Sequence, residues 1–142
     1  MGKIINLDSG GKQRAILQRN ILHACRCYCT EQNINSEVLD IVAFIYSTLK
    51  EIEKSIELTT SAWERRDYWV KADRFRMEWS WARRLGMAMQ QAVLVDDWAG
   101  VAGSAAQIAM KVNGVKVPQR HNLGTPWVGA RKRLAQVSAA AH

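Results

Sequence analysis

"SEVLDIVAFIYSTLKEIEKSI", residues 36–56, decides the fold class. Val38, Val42, Ile45, Leu49, Ile52 and Ile56 recur at intervals of 4, 3, 4, 3 and 4. That is the period of an α-helix laying one apolar seam along a parallel or antiparallel neighbour. Alternation of period two, which would mark a strand, is absent from this stretch. Ser36 is the expected N-cap. The same seam could also serve a homo-oligomer.

Working outward, helical patterns recur on both sides. Before the seam, the turn-like "DSGG" at residues 8–11 precedes a predicted helix from about Lys12 to Gln32, with Leu17, Ile21, Ala24, Cys25 and Tyr28 on one face. After it, "LTT" at 58–60 is expected to end the second helix, and Ser61 with Glu64 has the spacing of a capping box opening a third. This third helix is expected to reach about Val95. One stripe of it joins Val70, Met77, Trp81, Leu85, Ala88 and Ala92, and a second joins Tyr68, Phe75, Trp79, Ala82 and Val93. An apolar surface that wide implies two or more neighbours.

A fourth helix is expected from Asp96 or Asp97 as cap to about Val112, with Val101, Ala105, Ile108, Ala109 and Val112 inward. Small residues Gly100, Gly103, Ser104, Ala105 and Ala106 would allow close approach. Beyond it, Asn-Gly and both prolines of the chain mark an arm that ends in a short basic helix near residues 128–139. The expected architecture is therefore all-α: a bundle of four principal helices over residues 1–112 and a basic, partly extended C-terminal arm over 113–142.

Composition agrees with a globular domain. The 142 residues are 48% hydrophobic and 23% charged, with a formal net charge of +7. The charge is unevenly spread. Residues 98–142 hold Lys111, Lys116, Arg120, Arg131, Lys132 and Arg133 and no carboxylate, whereas the preceding residues come out near neutral. No apolar run approaches the ~18 residues of a membrane span, the N-terminal stretch lacks a signal-peptide core, and Asn6 stands where myristoylation wants Ser or Thr. Three cysteines within residues 25–29 do not form a secreted disulfide framework, so a cytoplasmic location is expected.

The chemical motifs are weak. In "HACRCYC", residues 23–29, helical geometry puts Cys25 and Cys29 on one face and His23 and Cys27 on roughly the other, so a closed zinc site would lack ligands. Buried apolar cysteines are the expectation there. Glu64, Asp67, Lys71, Arg74 and Glu78 lack the Glu-x-x-His partner of a carboxylate-bridged metal centre. Asp67 with Lys71 and Arg74 with Glu78 instead have i,i+4 spacing, and Arg74 is placed to stack on Trp81. "SGGK" at 9–12 fails the P-loop pattern, with Asn6 and Gln13 at positions requiring Gly and Ser or Thr. No nucleophile and base pair stands out, so neither catalysis nor a cofactor is expected.

Binding is expected in two places. Arg120, His121, Arg131, Lys132 and Arg133 surround Trp127 in the arm, and Arg65, Arg66, Trp69, Arg76, Arg83 and Arg84 fall on the outward arc of the third helix. The reading is a non-catalytic interaction or regulatory protein that docks an acidic partner protein through the arm and that arc, with Trp127 as apolar anchor; the plainer reading is that the arm folds back on the bundle and Trp127 fills a gap. The alternative is a nucleic-acid-binding protein using the same bases on phosphates. A weaker one is a metal- or cofactor-binding bundle using His23, Cys27, Glu64, Asp67 or Glu78.

The stretch "SAWERRDYWVKADRFRMEW", residues 61–79, resembles a motif of small uncharacterised helical proteins of the cyanobacterial kind. That resemblance implies a soluble bacterial protein and assigns no activity, ligand or functional residue.

Overall fold

The computed structural model describes residues 7–31, 33–114 and 123–140, with side chains between residues 10 and 136. Five helices, α1 (Leu7–Thr30), α2 (Ser36–Arg65), α3 (Trp69–Leu94), α4 (Trp98–Val112) and α5 (Ala130–Ala140), account for the fold, and no strand occurs among the described residues. All six residues of the α2 seam are buried, as their spacing requires. Ile41, Thr48, Ser55 and Thr59 are buried too, because α2 packs against both α1 and α3. Each fully buried aliphatic side chain contributes ~1.5–3 kcal/mol. The helix is capped by Asn35, one residue before the expected Ser36: its Oδ1 accepts from the Val38 N–H at 2.9 Å.

α1 begins earlier than expected and is helical through Gly10 and Gly11. Glycine within a helix costs about 1 kcal/mol, but at position 10 it has a use. A Cβ there would stand 3.4 Å from both Arg14 Nη1 and Thr59 Oγ1, so the glycine leaves room for the arginine between the helices. On the same helix Ile21, Ala24 and Cys25 are buried as expected, and Leu17 and Tyr28 are half-buried. The expected end at Gln32 lies outside the described residues.

The largest departure is the α2–α3 boundary. "LTT" does not stop α2, which runs to Arg65. Thr60 Oγ1 donates to the Ile56 carbonyl at 2.9 Å and Thr59 Oγ1 accepts from Arg14 at 3.2 Å, so both hydroxyls are satisfied inside the helix. Ser61 does not cap a new helix. It bonds Glu57 Oε1, and Glu64 turns to Arg76. The break falls at Asp67, in the left-handed region with φ 64°. There Tyr68 N–H donates to Trp63 O and Asp67 N–H to Glu64 O, the paired bonds of a Schellman motif. α3 ends identically. Asp96 has φ 56°, Asp97 N–H donates to Ala92 O and Asp96 N–H to Val93 O.

Asp97 then caps α4 as expected, accepting from Gly100 N–H at 3.0 Å. A Cβ on Gly100 would strike the Asp97 carboxylate and stand 3.2 Å from Ala92 Cβ, so this glycine permits the tight α3–α4 corner. Gly103 meets nothing and Ala106 is exposed, so the close approach expected of the small residues rests on Gly100, Ser104 and Ala105. α4 packs on α3 and returns to α1, where Cys25 Sγ lies 3.9 Å from the Ala105 carbonyl.

α5 lies on α2, and its start is fixed from outside. Asp40 on α2 accepts from Gly129 N–H at 3.2 Å and Arg131 N–H at 3.1 Å. Gly124 and Gly129 have φ of 61° and 76°, the left-handed turns flanking Trp127. Trp127 itself is 1% exposed, with His23 and Phe44 rings at 5.1 and 6.4 Å. It is core and cannot serve as the exposed anchor expected of it.

Two stability outcomes follow. Trp127→Ala should cost about 3–5 kcal/mol in chemical denaturation, the range for deleting a buried tryptophan. Asp67→Gly should raise stability by about 0.5–1 kcal/mol by relieving the left-handed backbone, whereas Asp67→Val should lower it.

Candidate partner-docking surface

The surface arises from a mismatch of helix lengths. α3 has 26 residues and α4 has 15, about 39 Å beside about 22 Å at 1.5 Å per residue. On α3 the stripe Trp81, Leu85 and Ala92 is buried. The same stripe continues toward the N-terminus through Arg74 to Val70, with Met77 beside it, and there it is uncovered. Met77 is 76% and Val70 66% exposed, correcting the expectation that both face inward. Tyr68 is likewise exposed and Ala88 is in solvent, whereas Phe75, Trp79, Ala82 and Val93 do pack inward. The first half of α3 thus has one fewer neighbour than its apolar width implied.

Around this uncovered end stand Arg65, Arg66, Tyr68, Trp69, Arg74 and Met77, all exposed. A groove of about 500 Å³ runs between the end of α2 and the start of α3, lined by Trp63, Val70, Lys71, Arg74, Phe75 and Glu78. Trp63 and Phe75 of its lining stand 5.0 Å apart, and from Phe75 a run of rings leads away to Trp79 at 6.2 Å and on to Trp81 at 5.8 Å. Lys71 Nζ sits 4.4 Å over the Trp63 ring. Neither expected i,i+4 pair forms among the described residues. Asp67 is drawn out of the helix by its turn, Lys71 turns to Trp63, and the arginine stacked on this aromatic run is Arg14 of α1, not Arg74 on Trp81.

Arg76 was expected on the outward arc, but its charge is engaged. It binds Glu64 bidentately, Nη2 to Oε1 at 2.6 Å and Nη1 to Oε2 at 3.1 Å, with Glu57 and Asp73 at 3.7 Å. The hydrogen bond to Arg76, with its charge, holds the Glu64 carboxyl below the usual glutamate range and raises Arg76 in turn. Arg65, Arg66, Trp69, Arg83 and Arg84 are exposed as expected, with Arg65 Nε donating to its own helix at Ser61 O.

The arm residues stand elsewhere. Arg131 and Lys132 are exposed, but Arg133 latches the turn through Nη1 to Val128 O at 2.8 Å and Nη2 to Pro126 O at 3.0 Å. Arg131 borders a separate apolar groove of about 220 Å³ lined by Val42, Tyr46, Met89, Val93 and Leu134 among others. Arg120 and His121 lie outside the described residues. Asp40, which holds α5, and Trp63, which holds the α3 groove, are at opposite ends of α2, about 35 Å apart along its axis. The two predicted groups therefore do not form one surface.

The cysteines offer little chemistry. Cys25 is buried and its thiol is pushed up to about 12, mainly by desolvation. Cys27 is half-buried and also raised, by burial and then by Glu37 and Glu31. Cys29 is exposed, so of the two buried apolar cysteines expected only Cys25 is buried. Among the described residues no group of three or more His, Cys, Asp or Glu side chains is placed to hold a metal, and no helix is long and apolar enough to cross a membrane. Comparison with protein-family models, curated proteins and solved structures finds no match.

The Glu64–Arg76 pair has a pH signature. A carboxyl held below its unfolded value stabilises the fold above that value, and the contribution is lost as pH falls through the folded one. Glu64→Gln should therefore lower the melting temperature at neutral pH. The gap to the native chain should close on acidification through the lowered value; a gap constant with pH would mean that packing, not charge, is what the substitution removes.

Proposed function

We propose that the protein is a non-catalytic docking protein that binds an acidic partner protein across the uncovered end of α3. The observation that carries this reading is the apolar stripe outlasting α4. Val70, Met77, Tyr68 and Trp69 lie in solvent with Arg65, Arg66 and Arg74 around them. Aromatic residues, methionine and arginine are the types that interfaces favour. Among the exposed charges from Arg65 to Glu78, Arg65, Arg66, Lys71 and Arg74 outnumber Asp67, Asp73 and Glu78, a small positive excess beside the apolar residues that suits a carboxylate-rich partner.

In this reading four long helices act as a bundle-like platform, residues 1–112, in a bacterial cytoplasmic protein. The arm, residues 113–142, contributes Arg131 and Lys132 as a separate positive end. Trp127 supports the platform, so deleting the arm would damage the fold as well as remove charge. Charge-reversal variants of the full chain are the cleaner tool.

The test compares an oligoglutamate peptide with short single- and double-stranded oligonucleotides across a salt series. The probes are titrated into the native chain, Trp69→Ala/Met77→Ala and Arg131→Glu/Lys132→Glu. Binding of the acidic peptide should fall on removal of Trp69 and Met77 by about tenfold, and less on reversal of the arm. Tight, steeply salt-dependent binding of oligonucleotides, lost with the arm charges and indifferent to Trp69 and Met77, would replace this reading by a nucleic-acid-binding one.

A further inference from the structure

Trp63, near the end of α2, is 8% exposed, and its Nε1–H finds no acceptor among the described residues. A buried donor left unpaired is costly, and most such groups in folded proteins have a partner. This tryptophan is not sealed in the core. It lines the groove of about 500 Å³ at the α2–α3 corner, a size within the ~300–1,000 Å³ of ligand clefts. One face of its ring is covered by the side chain of Lys71, whose Nζ stands 4.4 Å from the ring centre. Lys71 is itself exposed, so that cover is a long surface side chain and not part of the core.

The groove is polarised along α3. Lys71 and Arg74 stand three positions apart, and neither has a carboxylate within ion-pair distance among the described residues. They belong to the start of the helix, where Tyr68 gives no side-chain cap and the first turn holds no acidic residue. The positive end of the helix dipole therefore adds to their charge. Glu78, one turn beyond Arg74, is the one acid among the described residues of the lining, since Asp67 and Asp73 are exposed but do not line the groove. The rest of the lining is apolar: Val70, Phe75 and the Trp63 ring, the two rings 5.0 Å apart.

From these features we infer that the groove takes a short segment of the partner in which an apolar side chain stands next to a carboxylate. The apolar side chain fills the groove against Val70 and Phe75, the carboxylate meets Lys71 and Arg74, and an oxygen of the segment accepts from Trp63 Nε1–H. Glu78 sets the direction, because it repels a carboxylate laid the other way. The inference rests on the docking reading and narrows it, from an acidic partner to an acidic segment with an apolar residue built in.

The experiment titrates three synthetic peptides into the full chain at one ionic strength: oligoglutamate, the same peptide with a leucine inserted at its centre, and that leucine peptide with glutamine in place of glutamate. Affinity is followed by calorimetry and the Trp63 indole N–H by nuclear magnetic resonance. The leucine–glutamate peptide should bind about tenfold more tightly than either control and shift the Trp63 signal saturably. Lys71→Gln/Arg74→Gln should remove the preference for glutamate over glutamine, and Trp63→Phe should weaken binding of the leucine–glutamate peptide. If Trp63→Phe does not fold, the native indole signal and the Lys71 and Arg74 variant still decide. Equal binding of oligoglutamate and its leucine form, lost in Trp69→Ala/Met77→Ala with the Trp63 signal unmoved, overturns this inference and leaves the docking reading standing. Binding of the leucine–glutamate peptide that shifts Trp63 but is indifferent to Trp69 and Met77 does the reverse. No binding of either acidic peptide removes both.

Discussion

Everything in this structure leans on the burial of α2. It is the longest helix, and α1, α3 and α5 all pack against it. A helix enclosed on several sides must satisfy side chains on more than one face, which is why Thr48, Ser55, Thr59 and Thr60 appear among its buried residues beside the Ile, Leu and Val of the seam. Threonine and serine inside a helix are tolerated when the hydroxyl returns to the backbone or meets a partner. Thr48 and Thr60 take the first course and Ser55 and Thr59 the second. The polar interior of the molecule is thus a product of how thoroughly α2 is surrounded.

The second constraint is the shortness of α4. Because α4 is shorter than α3, the molecule has a filled half, where Trp81, Leu85, Met89 and Ala92 are covered, and a half in which Val70 and Met77 are not. The aromatic run from Trp63 to Trp81 bridges the two halves, and Arg14, Lys71 and the Glu64–Arg76 pair gather at the less covered end. The Asp67 turn belongs to the same corner.

Most elements were legible because their cause is local. The 4, 3 spacing of the α2 seam and the Asp97 cap each carry their own signal. What failed depends on contacts between distant residues. Nothing in "LTT" announces that Arg14, 45 positions earlier, will occupy Thr59, and a Schellman turn built on Asp67 lacks the glycine that ordinarily marks it. The outward arc on α3 was placed correctly for Arg65, Trp69 and Arg83. Val70 and Met77 were misplaced because periodicity reports an apolar stripe and not how far its neighbour extends. Trp127 reads equally as an anchor or a core residue by composition, and only the packing of His23 and Phe44 around it distinguishes the two.

The Asp40 contact bears on the order in which the chain assembles. α5 has 11 residues, fewer than the ~12–15 at which an isolated helix becomes even marginally stable in water. Its first free N–H groups are satisfied by a carboxylate 89 and 91 positions earlier in the chain. Helix formation at the C-terminal end is therefore contingent on a folded α2, and a long loop must close before the final turn is rewarded.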